Sequence, residues 1–304
     1  MNSGRIVVSG AHGFIGSHLV EHLRHLFGPD RVFSLIREKT HGSRQTIQCD
    51  LLDSRKLARI LTRVRPSLFF HAAGGSRGTF EELINGNIFT TLTLFRTLSE
   101  IKLPMRVVVL GSAAEYGVTN ARSSASRTPL RPETPYAWTK ACQTLLAEQV
   151  ARTGFDVVIA RLFNFTGPGV PPRLAVGSFA QKIANAERSG AHPVETGNLN
   201  PCRDLIDIRD AVSAIVRIAQ KGERGAVYDV CSGSSLPMRR ILDMLLQHAR
   251  MRLRIRTALG RHNQIGDIPF SRGDPGPLKR LGWKPSISLK ISLLDTLNYY
   301  RSQN

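Results

Sequence analysis

Ile6-Val7-Val8-Ser9-Gly10-Ala11-His12-Gly13-Phe14-Ile15-Gly16 decides the reading of this chain. A short β-branched strand runs into a glycine-rich turn, and Leu19 and Leu23 continue beyond it at helical spacing. Gly10 permits the tight turn, Gly13 lets backbone approach a pyrophosphate, and Gly16 allows close packing of the helix. The helix N-terminus adds N–H groups that have no partner within the helix, so the segment is a cradle for phosphate in which Phe14 and Ile15 take part. Glycines alone would mark any tight turn. Their place between a first strand and a first helix is what points to a dinucleotide. His12 in the same turn reads equally well as a phosphate neighbour and as a solvated residue.

The alternation continues outward. Apolar, β-branched runs recur at 32–36, 68–71, 107–110 and 157–160, and helical periodicity falls at 14–26, 54–64, 80–101 and 136–153. Strands alternating with helices predict an α/β fold, a Rossmann-type doubly wound parallel sheet. The second half is less regular, with a glycine- and proline-rich hinge at 167–172 and a break at 232–237. The expected division is a cofactor domain over 1–166, to which 200–231 returns, and a smaller α/β substrate domain made mainly from 167–304.

A chain of 304 residues with 41% hydrophobic content has ample core for such a fold. Its start lacks the pattern of a signal peptide, and no apolar run reaches the ~20 residues of a membrane span, so a cytoplasmic protein is expected. The four cysteines, Cys49, Cys142, Cys202 and Cys231, form no CxxC pair, and neither a zinc site nor a disulfide is expected. His18, His22 and His25 share a helix face, read as partly solvated because no carboxylate or Cys completes a metal site. The net charge is +19, with 33 Arg against 9 Lys. A diphosphate uses only a few cations, so most of this charge needs another reason. The densest stretch, Arg239 to Arg261, alternates Arg with apolar residues from Met251 to Arg256, which suits a strand with one solvated face. Nucleic-acid binding is disfavoured, because no recognisable module and few aromatics accompany the charge.

At the end of the second strand, where a carboxylate would bind the ribose hydroxyls of NAD, the chain has Arg37. A guanidinium there pairs with a 2′-phosphate, so NADP(H) is the expected cofactor and NAD(H) the less favoured one. Tyr136-Ala137-Trp138-Thr139-Lys140 opens a helix behind Pro135, and the i, i+4 spacing sets Tyr136 and Lys140 on one face. The ammonium is expected to lower the phenol's pKa towards neutrality. Lys140 also suits the nicotinamide ribose. Ser112 ends another strand at the carboxyl edge of the sheet, where open parallel sheets bind ligands, and is placed to orient a substrate carbonyl.

With the glycine turn, Ser112, Tyr136 and Lys140 in place, the chain resembles the extended short-chain dehydrogenase/reductase family over nearly its whole length. The resemblance makes those three residues a catalytic triad, and it implies cofactor contacts from Asp50, Leu51, Ala72, Ala73 and the buried Asn87. Arg161-Leu162-Phe163-Asn164, Gly167-Pro168-Gly169 and Arg203-Asp204-Leu205-Ile206-Asp207-Ile208-Arg209-Asp210 are similar to the nucleotide-sugar branch. There Asn164 would contact substrate and Arg203 its diphosphate. Val227 to Gly233 and Gly282-Trp283-Lys284-Pro285 extend the likeness, which is strongest to the GDP-4-keto-6-deoxymannose reductases. Two departures concern substrate. Gln264 stands where that subgroup has Arg before an acidic-Ile/Val-Pro element, leaving Arg261 and Asp267 as candidate contacts, and Phe165, Thr166 and Val170 replace its usual residues.

Within that family, dehydratases carry an acid, and the epimerase/reductases a Cys, where this chain has Ala113 and Ala114. Both chemistries are disfavoured. Hydride transfer at C4 remains, and Arg37 favours a reductase of a nucleotide-activated 4-keto-6-deoxyhexose over a 4-epimerase with retained NAD. Glu115 reads either as a catalytic assistant or as a cap. A non-catalytic dinucleotide-binding regulator is the reading from another class, opposed by the intact triad. A homodimer packed through the Phe80 and Tyr136 helices is implied by the resemblance.

Overall fold

Strands whose consecutive residues are all apolar bury both faces, and the sheet they form must be covered by helices on both sides. The computed structural model describes residues 4–38, 43–118, 128–190, 193–257 and 268–303. Its first half comprises β1 (Arg5–Ser9), α1 (Phe14–Phe27), β2 (Val32–Ile36), β3 (Thr46–Gln48), α2 (Ser54–Val64), β4 (Pro66–His71), α3 (Phe80–Leu83), α4 (Thr90–Ile101), β5 (Arg106–Ser112), α5 (Pro135–Arg152) and β6 (Val157–Leu162). The rest comprises β7 (Asn164–Thr166), α6 (Ala175–Ser189), β8 (Val194–Thr196), β9 (Cys202–Asp207), α7 (Ile208–Lys221), β10 (Val227–Val230), β11 (Ser235–Pro237), α8 (Met238–Leu246), β12 (Ile255–Thr257), α9 (Gly276–Arg280) and α10 (Leu289–Ser302).

Seven strands form one parallel sheet in the order β10-β6-β5-β4-β1-β2-β3. Alternate residues feed two cores. Val8, Phe70, Val108, Leu110 and Val158 pack with Leu19 and Leu23 of α1 and Ile215 of α7. Val7, Phe69, Val107, Val109 and Ile159 pack with Leu57 of α2, Leu94 and Leu98 of α4 and Ala147 of α5. The chain reverses its direction of winding between β1 and β4, and such a switch point opens a crevice at the carboxyl edge. Backbones crowd there. A Cβ on Gly10, which has φ +66°, would lie 2.7 Å from the Ala72 and Ala73 backbone, and one on Gly16 would lie 2.1 Å from the Gly10 carbonyl oxygen.

A smaller sheet, β11-β9-β7, and the pair β12-β8 complete the strands. They accompany a third core in which Phe179 and Ile183 of α6 meet Ile241 and Leu245 of α8 and Leu293 and Leu297 of α10. Three acids clamp this half together. Asp204 accepts from Ser232, Gly233 and Gly273, Asp207 caps α7 and accepts from Ser292, and Asp210 accepts from Ser286 and Ile287. The expected break at 232–237 is partly a strand, β11. The alternation expected over 251–256 narrows to β12, yet Arg252, Arg254 and Arg256 are exposed while Met251, Leu253 and Ile255 are half-buried. The expected helix over 80–101 is interrupted by a π-helical stretch at Ile84–Phe89.

Candidate active site

A cavity of about 630 Å³ opens at the switch point. Its walls include Gly13, Phe14, Ile15 and Gly16 from the turn into α1, Ala72 and Ala73 after β4, and Asn87 from the π-helical stretch. Ser112, Tyr136 and Lys140 join them, and Asn164 and Arg203 line the same cavity. Twelve of the expected site residues thus share one space.

The others lie elsewhere. Gly10 is the hinge of the turn rather than a wall. Arg37 follows β2 and Asp50 follows β3, on the neighbouring ends of paired strands, and both are exposed. The Asp50 carboxylate accepts from the Leu52 N–H at 3.0 Å, and Leu51 is buried. Arg261, Gln264 and Asp267 lie outside the described residues.

Local structure explains how the triad is held. Ser112 is the last residue of β5 and caps the 3-10 turn Ala113–Tyr116: its Oγ accepts from the Ala114 N–H at 3.2 Å, while its own N–H donates to Glu115 Oε1 at 2.6 Å. Glu115 is fully buried and paired with Arg161, Nε to Oε2 3.0 Å. Arg161 also donates to the Tyr116 hydroxyl at 2.7 Å, and Tyr116 donates to Asp229 Oδ1 at 2.8 Å. Glu115 is therefore a buried cap, and the catalytic alternative has no access to the cavity. Removing one partner of such a buried pair costs about 3–5 kcal/mol.

Tyr136 enters α5 one residue after Pro135, and Thr134 caps the helix by accepting from the Ala137 N–H at 3.1 Å. Ser112 hydrogen-bonds the Tyr136 phenol. Here the structure corrects the expectation of a lowered phenol pKa. Burial raises it, the charge of Glu115 adds to the rise, and the Ser112 hydrogen bond opposes it. Lys140 Nζ donates to the Leu110 carbonyl and to Gln143 Oε1. Burial lowers the Lys140 pKa to about 8, against the opposing charge of Glu115.

The site suits a dinucleotide. Gly13 presents no side chain to the cavity, and no side chain caps α1 or places an acid in its first turn, so the helix N-terminus is available to phosphate. Sequence reasoning missed Arg173 and Asn198, which also line the cavity; a base two residues before α6 was the only signal for the first. It also passed over the individual roles of Arg161, Tyr116 and Asp229, because burial is a tertiary property. Among the described residues, no group of three His, Cys, Asp or Glu is placed to hold a metal, and no helix is long and apolar enough to cross a membrane.

A glycine turn at the switch point of a parallel sheet, with helices on both faces, defines a Rossmann-type α/β fold. Residues 6–231 match the NAD dependent epimerase/dehydratase family, and the chain belongs to it. The GDP-6-deoxy-D-mannose reductase of Pseudomonas aeruginosa is 27% identical over 98% of both chains. The structure of RMD from Pseudomonas aeruginosa complexed with NADPH superposes with a TM-score of 0.86 at 28% identity, over 99% of this chain and 100% of that one. MoeE5 in complex with UDP-glucuronic acid and NAD gives 0.83 at 29% identity, over 98% and 99%.

Proposed function

We propose that the protein is a cytoplasmic NADPH-dependent reductase of the C4 ketone of a nucleotide-activated 4-keto-6-deoxyhexose. The observation that carries this reading is one continuous cavity. It joins the glycine turn and Ser112, Tyr136 and Lys140 to Asn164 and Arg203, and Ala113 and Ala114 line it directly after Ser112. The similarity to a GDP-6-deoxy-D-mannose reductase supports it.

When bound, NADPH supplies the hydride. Ser112 and Tyr136 hold the ketone oxygen, and Tyr136 gives it a proton; a phenol whose pKa is raised by burial stays protonated at neutral pH and serves as the acid. Lys140 is assigned to the nicotinamide ribose and Asn164 and Arg203 to the sugar diphosphate. Ala113 and Ala114 offer neither acid nor base for removing a proton or water from neighbouring carbons, which restricts chemistry to the ketone. We assign residues 1–166 to the cofactor domain, with 200–231 returning to it, and the remainder mainly to substrate.

The test is NADPH oxidation at 340 nm with GDP- and dTDP-4-keto-6-deoxyhexoses in parallel. Rapid oxidation with one is expected. Oxidation with none, together with interconversion of C4-epimeric nucleotide sugars by a retained NAD, would replace reductase by epimerase. Tyr136→Phe is expected to lower kcat by about 10²- to 10⁴-fold while leaving NADPH affinity unchanged by fluorescence titration; full turnover would remove Tyr136 from its role.

A further inference from the structure

Lys140 is one end of a buried hydrogen-bond chain. Its Nζ donates to Gln143 Oε1; Gln143 Nε2 donates to Thr91 Oγ1 at 2.8 Å; His71 Nε2 meets the same oxygen at 2.9 Å; and His71 Nδ1 meets Ser9 Oγ at 3.0 Å. Ser9 Oγ in turn accepts from the Ala73 N–H at 3.3 Å, at the cavity wall. Ser9, His71, Thr91 and Gln143 have no exposed surface. Four polar side chains at that depth are costly unless every one is satisfied, which makes the direction of each hydrogen bond decisive.

The directions follow from proton counting. Thr91 has one hydroxyl proton and donates it to the Asn87 carbonyl at 2.7 Å. Its oxygen is therefore acceptor to both Gln143 and His71. The Gln143 amide nitrogen faces Thr91, so its carbonyl faces the ammonium; the reverse would oppose two donors. His71 must carry its proton on Nε2, which leaves Nδ1 to accept from Ser9. Burial, aided by the Lys140 charge, holds the His71 pKa down at about 3, so the ring is neutral and Nδ1 carries no proton. Donors converge on Thr91 from both ends, from Lys140 through Gln143 and from Ser9 through His71, so the chain holds groups in place and does not pass protons along its length.

The consequence falls on Lys140. An ammonium has three N–H donors. The Leu110 carbonyl and Gln143 Oε1 take two, and the third is left for the cavity that Lys140 lines. We propose that Gln143, Thr91 and His71 are positioning residues for Lys140, a chain whose donors converge on Thr91, which ties the ammonium to the turn after β4 and aims its remaining N–H into the cavity. The proposal rests on the reading of Lys140 as part of a reductase site. Glu115 from the turn after β5, His71 from β4 and Tyr136 on α5 are the titratable groups facing or flanking the ammonium.

Gln143→Leu, Gln143→Glu and Thr91→Val in the full chain test it. Three quantities are read: NADPH oxidation from pH 6 to 10, thermal midpoint, and Lys140 titration in 13Cε-lysine NMR spectra, with Lys140→Met identifying its resonance among the nine lysines. Gln143→Leu should lower kcat by about 10- to 100-fold with KM within about twofold, and should move the Lys140 titration down by about one pH unit. Thr91→Val should act in the same direction but less, and Gln143→Glu should move the titration up and recover rate. Unchanged kcat and titration in folded Gln143→Leu, whatever its melting temperature, overturns the proposal; if that variant does not fold, Thr91→Val decides by the same criteria. Absence of turnover by the wild type with every 4-keto sugar defeats the reductase reading alone, since the NMR titration still decides the chain.

Discussion

Asp229 shows at single-residue scale how burial sets chemistry here. Its carboxyl accepts from Tyr116, yet burial outweighs the nearby Arg161 and lifts its pKa to about 7 from an ordinary 3.8. The folded state thus holds this proton more tightly than the unfolded chain. Asp229 contributes stability that is present below about pH 4 and is lost as pH rises to about 7. Asp229→Asn keeps an acceptor for Tyr116 and removes the titration. Its melting temperature should exceed that of the wild type at pH 8 and converge with it near pH 4; parallel melting curves across that range would show that Asp229 does not titrate there. Arg37 is the other residue with a directional consequence. If it holds the 2′-phosphate, Arg37→Glu should raise KM for NADPH by about 10- to 100-fold and leave KM for NADH nearly unchanged, since charge-assisted hydrogen bonds contribute about 1.5–3 kcal/mol. Equal changes for both cofactors in steady-state kinetics would make Arg37 a solvated residue.

The element that organises the site is α1. Its N-terminus reaches the crevice only because Gly16 lets the first turn lie against the Gly10 carbonyl, where a Cβ would stand 2.1 Å away. Gly16→Ala must push the helix outward. A loss of about 1–3 kcal/mol by urea denaturation and a larger KM for NADPH are expected, because overpacking against backbone has no flexible neighbour to yield. The π-helical stretch at Ile84–Phe89 works similarly. Asn87 within it exchanges hydrogen bonds with the Gly75 backbone and donates to Thr139 at 2.9 Å, joining the turn after β4 to α5.

Across the whole molecule, one face stands out. Phe80, Phe89, Trp138 and Leu145 are 44–55% exposed on the helices between β4 and β6, and Phe80 and Trp138 rings meet at 5.5 Å. If the homodimer forms through this face, sedimentation should give two chains per particle and Leu145→Glu should give one. A monomeric wild type would end that reading. The positive charge is spread differently. Arg252, Arg254 and Arg256 are exposed on and before β12 and do not line the cavity, so their charge forms a solvated face.

Legibility in the sequence followed the range of the interactions. Residues 6–16 specified the turn, because a positive φ and a close backbone approach admit only glycine, and β-branched runs specified five strands of the parallel sheet. Tyr136, Lys140 and Ser112 were readable because helical spacing and strand ends are local geometry. Strand β3 was not, since Thr46-Ile47-Gln48 is too short and polar to show a period and acquires its partners only from β2. Nor could spacing reveal that Lys140 faces Gln143 and Leu110, that burial raises the Tyr136 pKa, or that Glu115 caps β5 beneath Arg161. The sequence by itself determined the fold and the local geometry of the glycine turn and of the Tyr136–Lys140 helix, which depend on neighbours a few residues apart. Only the tertiary structure decided protonation, hydrogen-bond direction and access, because these depend on burial and on groups brought together from separate elements, as Glu115 is with Arg161.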